Sequence, residues 1–388
     1  MQADPGLPPD LGPGVVVEVP RSPTLREAPT AAVQVVTASC DAVPADAPRA
    51  LGITYWFQAA SDGTPYSVRL RLIGRRRGAA FGDPASSFDV VRTVTDVVPG
   101  SGPVSVTLRV LDVAPGQWDV WVVPEEDDRS GPQAQALPAG SASGSSGFAP
   151  LVRVQGPGVR VAAWPTFVAV AAGLGVSVQA VLAGAVGLPR GRLLVVALMA
   201  CLIGLAGAKV YYLLTHRGAD RVGGGRSGMS VQGFILGSVT TLILGAAAWA
   251  MPVGEVLGAT APALLVGLAV GRLGCFFGGC CAGRPTASRW GVWSSDRRIG
   301  VRRVPTQLLE ACLAAVLIAP AVLVLTADPE AGGLVFLGFL ACYILGRQLL
   351  FPWRSIPRET RHGRTLTLAV SAAALAGAAG SLLAGVSW

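Results

Sequence analysis

The sequence predicts an all-α polytopic membrane protein of about seven transmembrane helices, preceded by an all-β, sandwich-like soluble domain. Three observations carry that prediction. Of 388 residues, 51% are hydrophobic and only 14% charged, and the mean hydropathy is +0.53, too apolar for an ordinary soluble chain. Nearly all of this apolarity lies after Arg160, in uncharged runs that reach the roughly 20 residues a helix needs to cross a bilayer. Between Ala32 and Val123 the chain instead shows short β-branched and aromatic segments, broken by Gly, Pro, Asp and Ser at intervals of roughly a dozen residues.

Residues 1–30 read as a flexible N-terminal segment, and residues 31–123 as the sandwich. Strands are expected at Ala32 to Thr37, Leu51 to Ala59, Tyr66 to Ile73, Phe88 to Val98, Val104 to Leu111 and Gln117 to Val123. Tyr66 to Ile73 alternates, with Val68, Leu70 and Leu72 on one face and Arg69 and Arg71 on the other. Trp56 and Trp118 are expected in the core. Residues 124–158, an acidic run followed by Gly, Ser, Ala and Pro, read as a disordered linker that makes the sandwich a tethered accessory domain. Residues 159–388 then hold the spans, at approximately Val161 to Gly187, Leu193 to Leu214, Met229 to Pro252, Val256 to Leu273, Pro305 to Leu325, Gly333 to Phe351 and Thr365 to Ser387.

The formal charge is +8. In a membrane protein such an excess serves topology and anionic lipid rather than nucleic acid, so no nucleic-acid partner is expected. Arginines crowd three connections: Arg217, Arg221 and Arg226; six between Arg284 and Arg303; and Arg354, Arg358, Arg361 and Arg364. The other side has Arg190 and Arg192 against Glu255, Asp328 and Glu330. Taken alone, this places the basic connections and the N-terminal domain in the cytoplasm. Met1 to Gly6 has neither the positive nor the apolar region of a signal peptide, so none is expected there.

Charges inside spans are costly and point to function. Lys209, Arg272, Glu310 and Arg347 are of this kind. Lys209, near a span end, either snorkels or faces a ligand. Arg272 and Arg347 suit an anion, a phospholipid phosphate above all, with an ion pair to Glu310 as the structural alternative. Arg272 opens the stretch Gly271 to Pro285, whose glycines let backbone approach a ligand. Its Cys275, Cys280 and Cys281 allow a thiolate activated by nearby arginines, small residues packing a re-entrant loop, or a disulfide. A metal reading lacks a fourth ligand and the spacing of a zinc knuckle; neither metal nor cofactor is expected. His216 and His362 read as solvated loop residues.

Three blocks resemble the bacterial prolipoprotein diacylglyceryl transferases. Ser227-Gly228-Met229-Ser230-Val231-Gln232-Gly233 to Gly237 is similar to a block in which the family carries histidine at the position of Gln232. Gly271 to Pro285 resembles the family's signature, and Arg303 to Glu310 its R-H-P-[ST]-Q-L-Y-E block. Gly207 to Leu213, with Lys209 and Tyr212, and Tyr343 to Arg347 are weaker echoes. Departures are specific: Gln232 and Val304 stand for histidines, Cys275 and Gly278 for asparagines, Cys280 and Phe351 for glutamates.

The resemblance implies a seven-span fold and transfer of the diacylglyceryl group of phosphatidylglycerol to the lipobox cysteine of a prolipoprotein, a multi-pass protein of the bacterial cell membrane. Arg272 and Arg347 would be the family's essential arginines, with Gln232 at the histidine position. Gly271, Gly274, Gly279, Gly283, Arg284, Arg303, Lys209, Tyr212 and Glu310 would shape the substrate site. The resemblance puts the N-terminal domain and the active-site connections outside the cytoplasm, against the loop charges, and the reading follows it. The alternatives are a divergent lipid transferase with another acceptor and a non-catalytic phospholipid- or lipoprotein-binding membrane protein.

Overall fold

The computed structural model describes residues 33–36, 47–79, 86–125, 137–215, 229–355 and 362–385. The segment 1–30, Cys40, His216, Ser227 and Gly228 lie outside the described residues. Two compact units emerge. One gathers the N-terminal strands with Cys275–Thr306; the other holds the helices in Trp164–Gly274, Gln307–Pro352 and the C-terminal stretch.

The first unit has two sheets. β1 (Val33–Val36), β2 (Arg49–Gln58), β5 (Pro103–Leu111) and a late hairpin form one; β3 (Tyr66–Arg76), β4 (Ser87–Val97), β6 (Gln117–Glu125) and β7 (Gly140–Ser145) form the other, in the order β4-β3-β6-β7. β2 is buried along nearly its whole length because both its faces are covered, Leu51, Ile53, Tyr55 and Phe57 by the core, Ala50 by Ala149 and Val152 and Trp56 by Trp293, whereas β3 alternates as its sequence does. Val68, Leu70 and Leu72 join Tyr55, Phe57 and Trp118 in one core. On the outer face Arg71 Nη2 meets Asp89 at 2.6 Å and Arg69 Nε meets Glu125 at 3.1 Å. Trp118 is fully buried, and Trp56 is buried with its ring stacked on Trp293, centroids 5.6 Å apart.

The stretch expected to be a disordered linker differs. β6 runs into it as far as Glu125, residues 126–136 are outside the described set, and β7, β8 (Gly147–Phe148) and the short helix α1 (Ala149–Val152) follow. β7 pairs with β6 from Gln117↔Ser145 to Val122↔Gly140. Small residues suit that place: a β-carbon on Gly144 would lie 2.6 Å from Val35. The tethered-domain expectation is corrected too, by the late hairpin. β9 (Val292–Ser295) and β10 (Ile299–Arg303), from the connection between two spans, extend the first sheet as β1-β2-β5-β10-β9, with Ile299↔Val106 and Gly300↔Ser105 in register. Val301 enters the same core as the N-terminal strands. Residues 292–303 of this connection are therefore a sheet hairpin.

Among the described residues the second unit contains seven helices long and apolar enough to cross a membrane, and the chain is a multi-pass membrane protein. They are α2 (Ala163–Ala185), α3 (Arg190–Thr215), α4 (Val231–Ala248), α5 (Val253–Phe277), α6 (Thr306–Ala327), α7 (Gly332–Leu350) and α8 (Gly363–Leu383). Pro262 and Pro320 lie inside α5 and α6, which neighbouring helices make tolerable in a membrane. Alternate crossing brings the start of α2, the end of α3, the start of α4, the end of α5, the start of α6 and the end of α7 to one side. The β5–β10 pairing agrees with this for the two stretches it joins, the chain preceding α2 and the chain between α5 and α6.

Candidate functional site

Three of the four span charges, Arg272, Glu310 and Arg347, converge. Arg272, near the C-terminal end of α5, places Nε 2.8 Å from Glu310 Oε2, and Arg347, in the last turn of α7, places Nε 3.8 Å from Glu310 Oε1. Glu310 is 1% exposed and the Arg272 side chain 10%, while that of Arg347 keeps 33% of its surface open. The end of α7 favours this arrangement, because a cation in the last turn, Arg347, meets the negative end of the helix dipole. Close helix approach secures it, for a β-carbon on Gly346 would fall 2.5 Å from Leu313 of α6. The ion-pair alternative thus describes Arg272, whereas Arg347 is held at longer range and more open.

A second group forms on α3 and α4. Their backbones touch through Gly207 and Gly233: a β-carbon on Gly233 would lie 2.3 Å from the Gly207 carbonyl oxygen, a small-residue crossing typical of membrane helices. Ser230 N donates to the Ala208 carbonyl at 3.0 Å. That contact sets the start of α4 beside Lys209 and Tyr212, whose ring centroid is 6.0 Å from Lys209 Nζ. Gln232 is exposed and accepts a 2.7 Å hydrogen bond from Ser230 Oγ at Oε1. A glutamine amide offers donors and an acceptor but no titrating proton.

The signature's glycines divide. A β-carbon on Gly271 would meet nothing within 4 Å, so that position is open. On Gly274 it would lie 2.6 Å from Phe167 Cβ, and on Gly283 2.0 Å from the Val304 carbonyl oxygen. Gly279 has φ +65° and no room, with Val159 at 2.8 Å. Gly274, Gly279 and Gly283 therefore serve close packing of the chain on itself.

Arg303 is 3% exposed and spends its guanidinium inside the first unit. It donates to the Gly283 carbonyl at 3.0 Å, to Asp296 Oδ2 at 2.9 Å and to the Ile299 carbonyl at 3.1 Å. Burial holds its pKa below the usual arginine value, opposed by Asp296. Arg284 is exposed, with Nε donating to the Arg354 carbonyl at 3.3 Å. A cleft of about 150 Å³ opens beside Arg303, lined in part by Asp296, Val94, Val98 and Pro285.

Asp296, the sole acid between Gly278 and Pro305, lies outside the spans, so the cost of a charge in a membrane does not point to it. Besides Arg303 it accepts from the backbone of Arg298 at 2.9 Å and Ile299 at 2.7 Å, which makes the β9–β10 turn.

The three cysteines do come together, with sulfurs all within 4.8 Å of one another. Hydrogen bonding to Cys275 and then Cys281, with burial, pushes the Cys280 thiol above the ordinary cysteine range. These effects act against a Cys280 thiolate.

Seven spans carrying a buried carboxylate between two guanidiniums define a polytopic membrane protein with a polar site at one set of helix ends. The chain belongs to the prolipoprotein diacylglyceryl transferase family, whose pattern matches residues 152–382. Relatives include the phosphatidylglycerol–prolipoprotein diacylglyceryl transferase of Rhodococcus jostii (strain RHA1), 32% identical over 131 residues, which is 31% of this chain and 36% of the relative. Those of Bordetella parapertussis and Bordetella bronchiseptica are each 33% identical over 116 residues, 30% of this chain and 44% of theirs. The chain thus spans less than half the length of the curated relatives it matches.

Proposed function

We propose that the protein transfers the diacylglyceryl group of phosphatidylglycerol to a cysteine thiol of a lipobox-bearing prolipoprotein. The observation that carries this reading is the convergence of Arg272 and Arg347 on Glu310 at one set of span ends. In it, Arg347 binds the phosphodiester through its fork of donors, and Glu310 and Arg272 fix the helix ends that present it. The acceptor sulfur attacks the glyceryl carbon, the carbon–oxygen bond to phosphate breaks with its electron pair, and glycerol phosphate leaves as the thioether forms. Charge accumulates on the leaving phosphate, where fixed cations act most strongly. The thiol proton passes to a base that Gln232 cannot be. The N-terminal domain and the site-bearing connections lie outside the cytoplasm in this reading, as the family resemblance implies.

Gln232 favours a second reading, in which the protein binds anionic phospholipid without turnover. Thioether formation on a lipobox peptide in phosphatidylglycerol vesicles separates the two. Transfer that disappears in Arg347→Ala supports the transferase; a folded, vesicle-binding protein with no transfer supports the binding role.

A further inference from the structure

The Cys275, Cys280 and Cys281 sulfurs all lie within 4.8 Å of one another, with Cys275 buried and the other two half-buried. The turn that gathers them is wedged in place. Just past the end of α5, Cys280 N donates to the Cys275 carbonyl at 3.0 Å. Gly279 takes φ +65° and Cys281 φ +55°, the latter a left-handed conformation that costs a non-glycine residue energy. A β-carbon on Gly279 would fall 2.8 Å from Val159 and 3.0 Å from the Ser295 carbonyl, so the turn has little freedom to open. Arg297 Nε donates to the Gly278 carbonyl at 2.8 Å, bringing a guanidinium beside the same turn.

We infer that Cys275, Cys280 and Cys281 form a three-thiolate site for a soft, low-coordinate cation of the Cu(I) class. Thiolates select soft ions. A trigonal ion with metal–sulfur bonds of about 2.3 Å sets its sulfurs about 4.0 Å apart, a spacing that fits inside the 4.8 Å limit within which the three sulfurs lie. Structural zinc asks for four ligands, and the described residues group only these three; a three-coordinate ion needs nothing further. Binding expels the thiol protons, and the Arg297 guanidinium offsets the negative charge of a monovalent ion held by three thiolates.

The test uses the full chain in detergent, kept reduced by a thiol-free reductant and titrated with Cu(I) from its bicinchoninate complex. About one ion per chain is expected to be held against the chelator, with X-ray absorption showing sulfur neighbours at about 2.3 Å. Cys275→Ser, Cys280→Ser and Cys281→Ser, each checked for native elution and circular dichroism, lower the affinity by at least about 100-fold. A chain with Cys40, Cys201, Cys312 and Cys342 all changed to serine keeps its ion. Should a serine variant fail to fold, Cu(I) protection of these three thiols from maleimide, read peptide by peptide on the unaltered protein, decides the matter. Unprotected thiols, unchanged affinity in a folded variant, no competition with the chelator, or a disulfide among the three under these conditions would each overturn the assignment.

Discussion

Arg272 and Glu310 stand 2.8 Å apart, Nε to Oε2, across α5 and α6, and both are buried in a unit built from apolar spans. A pair like this is weak as a source of stability but costly to break by half, because the remaining charge is stranded. Glu310→Ala is therefore expected to destabilise the protein by about 3–5 kcal/mol, seen as a lower Tm in detergent. The double change Arg272→Met with Glu310→Met recovers much of that loss, since the two buried charges go together and only the more open Arg347 loses its carboxylate. A double variant no more stable than Glu310→Ala would contradict the pairing as the cause.

Arg347 differs in exposure and distance, and so in expected effect. Its side chain is one-third open and its Nε is 3.8 Å from Glu310. Arg347→Ala should change the stability by no more than about 1 kcal/mol, with a correspondingly small change in Tm, yet lower thioether formation by about 100- to 1,000-fold, the usual loss for a donor aimed at developing charge. Arg347→Lys keeps the charge but not the fork and should fall between the two. A variant that loses stability and transfer together would make Arg347 a structural residue.

The α3–α4 crossing allows a sharper contrast. A β-carbon on Gly233 meets the Gly207 carbonyl oxygen at 2.3 Å and Tyr211 Cβ at 2.5 Å, whereas one on Gly173 of α2 meets nothing within 4 Å. Gly233→Ala should cost about 1–3 kcal/mol by overpacking and should disturb the Ser230–Gln232 segment docked on Ala208. Gly173→Ala should be neutral or stabilising by up to about 1 kcal/mol. Equal Tm changes in the two variants would mean that the crossing is not tight.

How far the sequence foretold this structure depends on what each segment's pattern contains. The expected strands from Ala32 to Val123 and the expected spans match observed elements to within a few residues, because alternation in β3 and uncharged length in α2 to α8 are local signals. β7 carries none: Gly140-Ser141-Ala142-Ser143-Gly144-Ser145 is coil-like by composition, and only pairing to β6 makes it a strand, a case of context overriding propensity. β9 and β10 were hidden for another reason. Lying between two spans, they read as a basic loop, and the one acid among those arginines, Asp296, turned out to form their turn. At the site, charge inside apolar runs singled out Arg272, Glu310 and Arg347, but not their distances. The roles of Gly279 and Gly283 as packing glycines depend on Val159 and Val304, which no local pattern connects to them.

The β5–β10 join makes the N-terminal strands depend on the late hairpin. β10 covers the side of β5 that faces away from β2, through Ile299↔Val106 and Gly300↔Ser105, and Val301 fills core beneath it. A fragment ending at Arg160 lacks β9 and β10, so β5 would become an exposed edge beside an incomplete core, a template for pairing with other chains. Such a fragment should aggregate or run as oligomers on size exclusion. Adding residues 278–305 as a separate peptide, or grafting them through a flexible linker, should raise the monomer fraction. In the full chain, Gly300→Val probes the same join, because a β-carbon there already falls 2.4 Å from Ser105 Oγ and 2.5 Å from Trp293. It should speed proteolysis between Gly278 and Pro305 without removing the protein from the membrane. A monomeric, well-folded fragment ending at Arg160 would show instead that the N-terminal strands form a domain in their own right and that the hairpin merely rests on them.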